Sequence, residues 1–582
     1  MPERTNIATR TPPWGVSLRH ASSWMRDVPV ILGGFALFYG LLSFARYGVG
    51  PINAGANIDL SPGALPKYAL FSVVRLSTAY VLSLGFTLVY GYVAAYNKRA
   101  ERLLIPLLDT LQSIPVLSFL PGVMLAMVAL FPNRQLGVEL GSILLIFTGQ
   151  VWNMTFSFYS SLKNIPGEMR EAAQVYGFSW WQRFVQMELP YASIGLIWNS
   201  MMSMAGGWFF LMACEMFVLG NRDLRLPGLG SYLQTAANAG DTKAITWGLA
   251  VMIGVIVLMD QLVWRPVIAW GARFKFEQVE GADAPRSPML DWLRRSRLLM
   301  VLGRASVAPV REKLDLHFAR THNVSSKVST PSRAAVLVLR ALSVVAVAGI
   351  AYATVRIAIM LTGLSRVEVT SIVYGAAATF LRVEITLILA AMWTIPVGIF
   401  IGLRPRVSAV LQPIAQIVAS VPATALFPII LLVLIRLGGG LGIGSIALLL
   451  LGTQWYLLFN VIAGASSIPT DLKEVCDVFR FGRAERWRKL LLPAIFPYLI
   501  TGFVTASGGA WNASIVAEYF HFKGQTLSTT GLGSVISHAT DIGNFRLLLG
   551  ATIVMALMVV TINRVLWRRM YALAATRYKL DT

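Results

Sequence analysis

The sequence predicts an all-α polytopic membrane protein, two parallel repeats of about six transmembrane helices each and about twelve spans in all. Three observations carry that prediction. Of 582 residues, 56% are hydrophobic and only 13% charged, too apolar for a soluble chain of this length. The apolar residues gather in runs of about twenty, the length a helix needs to cross a bilayer. A polar stretch between two such runs, Glu171-Ala-Ala-Gln-Val-Tyr-Gly177 closed by Leu189-Pro190, returns as Glu474-Val-Cys-Asp-Val-Phe-Arg480 closed by Leu492-Pro493, 303 positions later (474 − 171).

Taken in order, residues 1–27 form a basic cytoplasmic tail with Arg4, Arg10, Arg19 and Arg26, followed by an apolar run at 28–44. No small-residue cleavage site follows it, so it reads as a retained span rather than a signal peptide. Runs at 76–96, 103–130, 137–160, 190–218 and 244–270 complete a first transmembrane repeat, 28–272. Residues 273–333 are polar and read as a cytoplasmic linker, in which Asp291–Met300 has the pattern of a basic amphipathic helix on the membrane surface or of an ordinary solvated helix. Six further runs, at 335–362, 376–402, 408–435, 443–465, 494–519 and 546–566, make a second repeat, 334–570, before a cytoplasmic tail at 571–582.

The net charge of +22 fits loops held against anionic lipid. No recognition motif accompanies it, so nucleic acid is not an expected partner. With the N-terminus inside, Lys98–Arg102, both polar loops, the linker, Arg404–Arg406 and the tail fall on the cytoplasmic side, leaving outside Arg46, Lys67, Arg134, Arg222, Arg225 and Lys523. Both termini are therefore predicted cytoplasmic. Cys214 and Cys476 lie in different halves, and the five histidines are scattered; neither a disulfide nor a metal site is expected. Gly438–Gly442 has no Lys-Ser/Thr behind it and reads as an external turn, and no Gly-x4-Gly-Lys-Ser/Thr occurs anywhere. By the usual route this chain does not itself use ATP.

The repeat extends well beyond the polar stretch. At the same offset Trp152 meets Trp455, Pro166 meets Pro469, Trp208 meets Trp511, Glu215 meets Glu518, and Gly228-Leu-Gly230 meets Gly531-Leu-Gly533. Upstream the offset is 307 (382 − 75), pairing Arg75 with Arg382, Gly91 with Gly398, and proline-flanked Ser113 with Ser420. Repeats with an even number of spans lie the same way up, about an axis along the membrane normal, so both polar loops face one side. Pro166 and Pro469 preset a helix start. In the first copy Glu171 lies on the outer part of a short helix, small Ala172 and Ala173 permit close approach, and Gly177 supplies the left-handed residue that ends it. Such a stub suits a partner's groove; the competing reading, an ordinary turn between spans, is weakened by the second copy.

These residues resemble a known family. Glu-Ala-Ala, three residues, Gly, nine residues, Ile-x-Leu-Pro is similar to the coupling signature of membrane subunits of bacterial ATP-binding cassette importers. Glu171, Ala172, Ala173, Gly177, Leu189 and Pro190 match, with Met187 in the Ile place; the second copy keeps Glu474, Leu492 and Pro493 but has Val475-Cys476 for Ala-Ala and Arg480 for Gly. That departure leaves Gly482, two residues on, as the expected terminator of the second helix. Gly206-Gly-Trp208 with Glu215 resembles the branch that takes up nitrate, sulfonates, taurine and bicarbonate. The resemblance covers roughly 65–272 and 372–570 and implies the type I importer fold in a fused form. It further implies a bacterial inner-membrane location, two ATPase subunits that bind ATP and Mg, a periplasmic substrate-binding protein, and no cofactor in this chain.

Ionisable groups inside spans mark a path or a pairing. Glu215 and Glu518 fit a gate or helix pairing better than contact with an anion. Arg75 and Arg382 suit either drawing an anion inward or, the stronger reading, snorkelling or pairing with a carboxylate. Ser113 and Ser420 mark either broken helices lining a cavity or simple kinks, Trp208 and Trp511 are expected in the central packing of the halves, and these four with Arg75, Arg382, Glu215 and Glu518 are the candidate residues of the translocation path. The competing function is a secondary transporter driven by an ion gradient, with Glu215 and Glu518 as proton carriers. A membrane enzyme finds no nucleophile–base or metal constellation.

Overall fold

A computed structural model describes residues 42–577, except 49, 51–57, 113, 133–134, 220–221, 275–286, 297–299, 302–303, 306–307, 321–332, 437–439 and 523–524. The apolar run at 28–44, Ser113, much of the linker and part of the Gly438–Gly442 turn thus lie largely or wholly outside the described residues. Apart from two short hairpins, the secondary structure of the described residues is helical. Among the described residues seven helices are long and apolar enough to cross a membrane, or nine if each of two sharply bent helix pairs counts as one span. The shortfall from about twelve has a physical side: Gln135–Lys163 is 29 residues long but gives up apolar positions to Gln135, Glu139 and Gln150, all buried in protein.

The repeat seen in sequence is a repeat of elements. Gln135–Lys163 and Leu441–Ser466 precede the short helices Gly167–Val175 and Thr470–Val478; the long helices Leu189–Glu215 and Leu492–Ala517 follow, each leading to a hairpin, a short helix and a last span. The hairpins pair Val218–Leu219 with Arg222–Asp223 and Tyr519–Phe522 with Gln525–Ser528, both antiparallel. Even irregularities recur. A π-helical turn at Phe184–Glu188 returns at Trp487–Leu491, and one at Asp260–Trp264 returns at Asn563–Trp567, each 303 residues on (487 − 184; 563 − 260).

Contacts divide the chain into two compact units. The smaller contains Ser161–Trp198 and Leu258–Lys327. In it the described part of the linker is helical: Pro288–Arg295 forms an amphipathic helix around Asp291, ended by Ser296 in extended conformation. A second linker helix, Ala308–Arg320, packs beside Trp180–Arg183, where the Trp181 indole donates to Asp315 at 2.7 Å.

The larger unit contains Gly48–Ser160, Asn199–Val257 and Val328–Thr582. Helix Arg366–Gly402 starts at a capping box, Ser365 accepting from the Glu368 amide at 3.2 Å and Glu368 accepting from that of Ser365 at 2.8 Å. It packs on Leu441–Ser466 at small residues, the usual device where lipid removes the hydrophobic drive between helices. A Cβ on Gly398 would come within 2.7 Å of Val461, and one on Gly91 within 2.7 Å of Phe158, 303 residues before Val461. Pro405–Ser420 and Ala423–Leu431 meet at 78°, a true break rather than a kink, and Lys98–Gln112 with Val116–Leu130 breaks likewise. The final helix runs on to Arg577, so the tail expected from 571 continues as helix.

Candidate functional site

The two polar loops share one local design. Each short helix begins after a proline, Pro166 or Pro469, and ends in a Schellman turn. In the first, Phe178 N–H donates to Ala173 O at 2.9 Å and Gly177 N–H to Gln174 O at 3.0 Å; in the second, Phe481 N–H donates to Cys476 O at 2.9 Å and Arg480 N–H to Asp477 O at 3.1 Å. The left-handed position is Gly177, φ 63°, in one and Arg480, φ 50°, in the other. Gly482 is therefore not the terminator. It sits in extended conformation at the start of the next helix, Arg483–Arg486, because the two hydrogen bonds that close the turn outweigh the penalty on a side chain at positive φ. Arg480→Gly is accordingly expected to raise the stability of this turn by about 1 kcal/mol, read as slower amide exchange across 474–481; unchanged exchange would count against the strain.

Side-chain direction follows the same pattern in both copies. Glu171 and Ala172 are exposed while Ala173 is buried; Glu474 and Val475 are exposed while Cys476 is buried. The Ala-Ala to Val-Cys change thus keeps a small residue at the inward position. Each turn also presents large apolar groups to solvent, Val175 and Tyr176 at 84% and 78% exposure, Val478 and Phe479 at 77% and 70%. Surfaces of this kind mark sites for a partner.

The ionisable residues that the sequence singled out inside the spans form two buried knots. Arg75 chelates Glu139, Nε to Oε2 at 2.6 Å and Nη2 to Oε1 at 2.7 Å, while its Nη1 donates to Glu215 Oε1 at 2.7 Å and to the Pro227 carbonyl at 3.0 Å. Ser72 Oγ donates to Glu215 Oε1 at 2.7 Å and accepts the Leu229 amide at 3.0 Å; Gly230 N–H donates to Glu215 Oε2 at 2.7 Å. Glu215, the last residue of one long helix, therefore caps the start of Leu229–Ala239, where the unpaired amides of a helix N-terminus favour an anion.

The second knot is the same with one member missing. Arg382 pairs with Glu518, Thr379 Oγ1 donates to its carboxylate at 2.8 Å and accepts the Leu532 amide at 2.8 Å, and Gly533 N–H donates to Glu518 Oε2 at 2.8 Å. A Cβ on Gly228 or Gly531 would overlap the capping carboxylate, which is why glycine recurs there: both have extended backbones open to any residue. The position of Glu139 at offset 303 is Gly442, so two carboxylates share a guanidinium in one knot and a single carboxylate has its own in the other.

The sequence named Arg75, Arg382, Glu215 and Glu518 without joining them, and it missed Ser72, Thr379 and Glu139. The first two were legible, since Ser72 and Thr379 obey the same 307 offset as the arginines (379 − 72). Glu139 has no counterpart to betray it. Trp208 and Trp511 are both buried, near where the repeats meet: Tyr456 lies beside Gly206 and Gly509, and Asn512 accepts the Leu117 amide at 3.4 Å. Ser420 donates to Gln416 O at 2.8 Å within its own helix. Outside the spans, Asp223 is held below the usual carboxylate range: burial pushes it up, but hydrogen bonds from the side chain and backbone of Arg225 outweigh that. No cluster of His, Cys, Asp and Glu fit to hold a metal occurs among the described residues.

Comparison with known proteins accounts for this arrangement. The family model described as "Binding-protein-dependent transport system inner membrane component" matches twice, at residues 87–262 and 394–577, together more than half of the chain. A nitrate import permease protein of Leptolyngbya laminosa is 32% identical over 142 residues, 24% of this chain and 50% of that protein. A bicarbonate transport system permease protein of Synechococcus elongatus is 32% identical over 141 residues, 24% of this chain and 49% of that protein. A putative aliphatic sulfonates transport permease protein of Bacillus subtilis is 25% identical over 211 residues, 36% of this chain and 71% of that protein. The chain spans about half the length of the first two relatives. With two matched copies of the family domain in one polypeptide, the chain belongs to the inner-membrane components of binding-protein-dependent transport systems, as a duplicated and fused permease of the ATP-binding cassette importer class.

Proposed function

We propose that this chain forms the membrane-spanning pathway of an ATP-driven importer of a small anion, coupled to separate ATPase subunits through its two polar loops. The observation that carries this reading is the pair of exposed short helices with one design, each started by proline, closed by a Schellman turn and presenting large apolar side chains. An apolar helical stub with satisfied ends is a docking element for a groove. In this mechanism two ATPase subunits hold ATP and Mg, one beneath each loop, and their closure displaces the loops and turns the pathway between inward-open and outward-open. A periplasmic binding protein delivers the anion, both termini face the cytoplasm, and the membrane is the bacterial inner one. The anion class is supported by relatives whose names give nitrate, bicarbonate and aliphatic sulfonates.

Glu215 and Glu518 serve this pathway as caps that lock helices, not as proton carriers, since each already accepts from a guanidinium, a hydroxyl and an amide. The test is coupling. In the reconstituted complex Glu171→Lys and Gly177→Val are expected to leave basal ATP hydrolysis running while uptake falls by about tenfold or more, the effect of losing about 1.4 kcal/mol of docking free energy. Unchanged uptake in both variants, or uptake that follows a proton gradient without ATP, would sink the assignment.

A further inference from the structure

Two polar side chains that occupy equivalent places in the two repeats have no partner. Tyr456 lies on Leu441–Ser466 and Asn153 on Gln135–Lys163, each ten residues before its helix ends (466 − 456; 163 − 153) and 303 apart (456 − 153). Asn153 is exposed and Tyr456 half-buried, and neither the amide nor the hydroxyl makes a hydrogen bond among the described residues. A Cβ on Gly206 would stand 3.7 Å from the Tyr456 hydroxyl, and one on Gly509 3.2 Å from its ring. Those glycines are themselves repeat partners (509 − 206). A side chain that touches both members of such a pair stands close to the axis relating them, and the same operation brings Asn153 to that axis from the opposite side.

The surroundings of this pair are polar without being repeated. On Leu492–Ala517 the residues Thr501, Thr505, Gly508 and Asn512 recur at helical spacing and are all partly accessible. At offset 303 the first repeat has Trp198, Met202, Ala205 and Phe209 instead (501 − 198). On Gln135–Lys163 the face of Asn153 continues one turn on as Ser157. An amide or hydroxyl without a partner is costly against hydrocarbon, so inside a membrane such groups belong to a wet space. The guanidiniums of Arg75 and Arg382 are committed to the buried knots, and what Tyr456 and Asn153 offer is neutral. Neutral donors replace part of an ion's hydration without trapping it as a fixed charge would, and a passage must bind weakly enough to let go. The ring of Tyr456 adds bulk where the other repeat has a small amide, so the closure is one-sided.

We infer that Tyr456 and Asn153 form the constriction of the translocation path, the Tyr456 ring acting as its seal and the Tyr456 hydroxyl and Asn153 amide as the donors that pass the ion along. The inference rests on the importer reading for what crosses, but its main tests use no ATP. Full-length chain with its ATPase subunits in liposomes is treated with a charged methanethiosulfonate reagent, and labelling is read by mass against the parent with its two buried cysteines. Asn153→Cys is expected to react on the order of tenfold or more faster than Val89→Cys, because a charged reagent enters hydrocarbon only at high cost. Val89 serves as the control because it is 68% exposed on the apolar surface of Leu65–Tyr96. In nitrate-loaded liposomes without ATP, Tyr456→Ala is expected to leak where the parent is tight. Tyr456→Phe should stay tight but slow ATP-driven uptake about twofold to tenfold, the effect of one lost hydrogen bond. A merely structural tyrosine would instead lower the melting temperature of Tyr456→Ala and leave efflux at the parent's rate. Labelling of Asn153→Cys as slow as that of Val89→Cys, a folded Tyr456→Ala that stays tight, or Tyr456→Phe uptake equal to the parent's overturns the inference and leaves ATP-driven import standing. Should Tyr456→Ala not fold, the labelling rates and Tyr456→Phe decide. Uptake that ignores ATP in a protein that labels and leaks as expected would sink the importer reading and keep the constriction.

Discussion

Arg75→Met is expected to destabilise the protein by about 3–5 kcal/mol, the cost of leaving buried carboxylates without their cation. Arg75 answers both Glu139 and Glu215, with side chains at most 2% exposed, so its loss strands two acids at once. Arg382→Met should cost visibly less, because Arg382 answers one carboxylate and its side chain is 10% exposed. The measurement is the thermal midpoint of the purified chain in detergent, with the two variants ranked against the parent. Adding Glu139→Gln and Glu215→Gln to Arg75→Met should restore part of the loss, since a neutral amide tolerates burial better than an unpaired charge. Equal midpoints for the two arginine variants would refute the unequal knots.

Trp511→Ala is expected to cost about 3–5 kcal/mol as a core truncation. Trp511 is fully buried, and its indole N–H has no hydrogen-bond partner among the described residues. Trp511→Phe should therefore lose far less, because it keeps most of the ring volume and removes an unpaired buried donor. This separates a core tryptophan from one lining the path. If Trp511 faced a wet channel, Trp511→Ala would alter uptake and hardly move the melting temperature.

How much of this was readable beforehand depended on whether a feature obeyed the repeat. The spans, the loops and the Arg–Glu positions were legible because each appears twice at a fixed offset, and a coincidence seen twice is hard to dismiss. Glu139 was not, nor was the Asp223–Arg225 pair, because each exists in one copy only. The end of the second short helix was misread for another reason. Gly482 satisfied the residue preference for a left-handed turn, but the preference is worth about 1–2 kcal/mol, and the hydrogen-bonding frame placed the turn at Arg480 regardless. Gly228 and Gly531 gave the converse lesson: they are required by the room a carboxylate occupies rather than by backbone angle.

The capping carboxylates have a kinematic consequence. Because Glu215 both finishes one long helix and starts the next short one while held to Ser72 and Arg75, the ends of Leu65–Tyr96, Leu189–Glu215 and Leu229–Ala239 form a welded corner. Glu518 welds the matching corner of the other repeat. In the proposed transport cycle the corners are expected to travel as rigid pieces, with the bending falling to the broken spans and the π-helical turns, the places where the hydrogen-bond ladder is already interrupted.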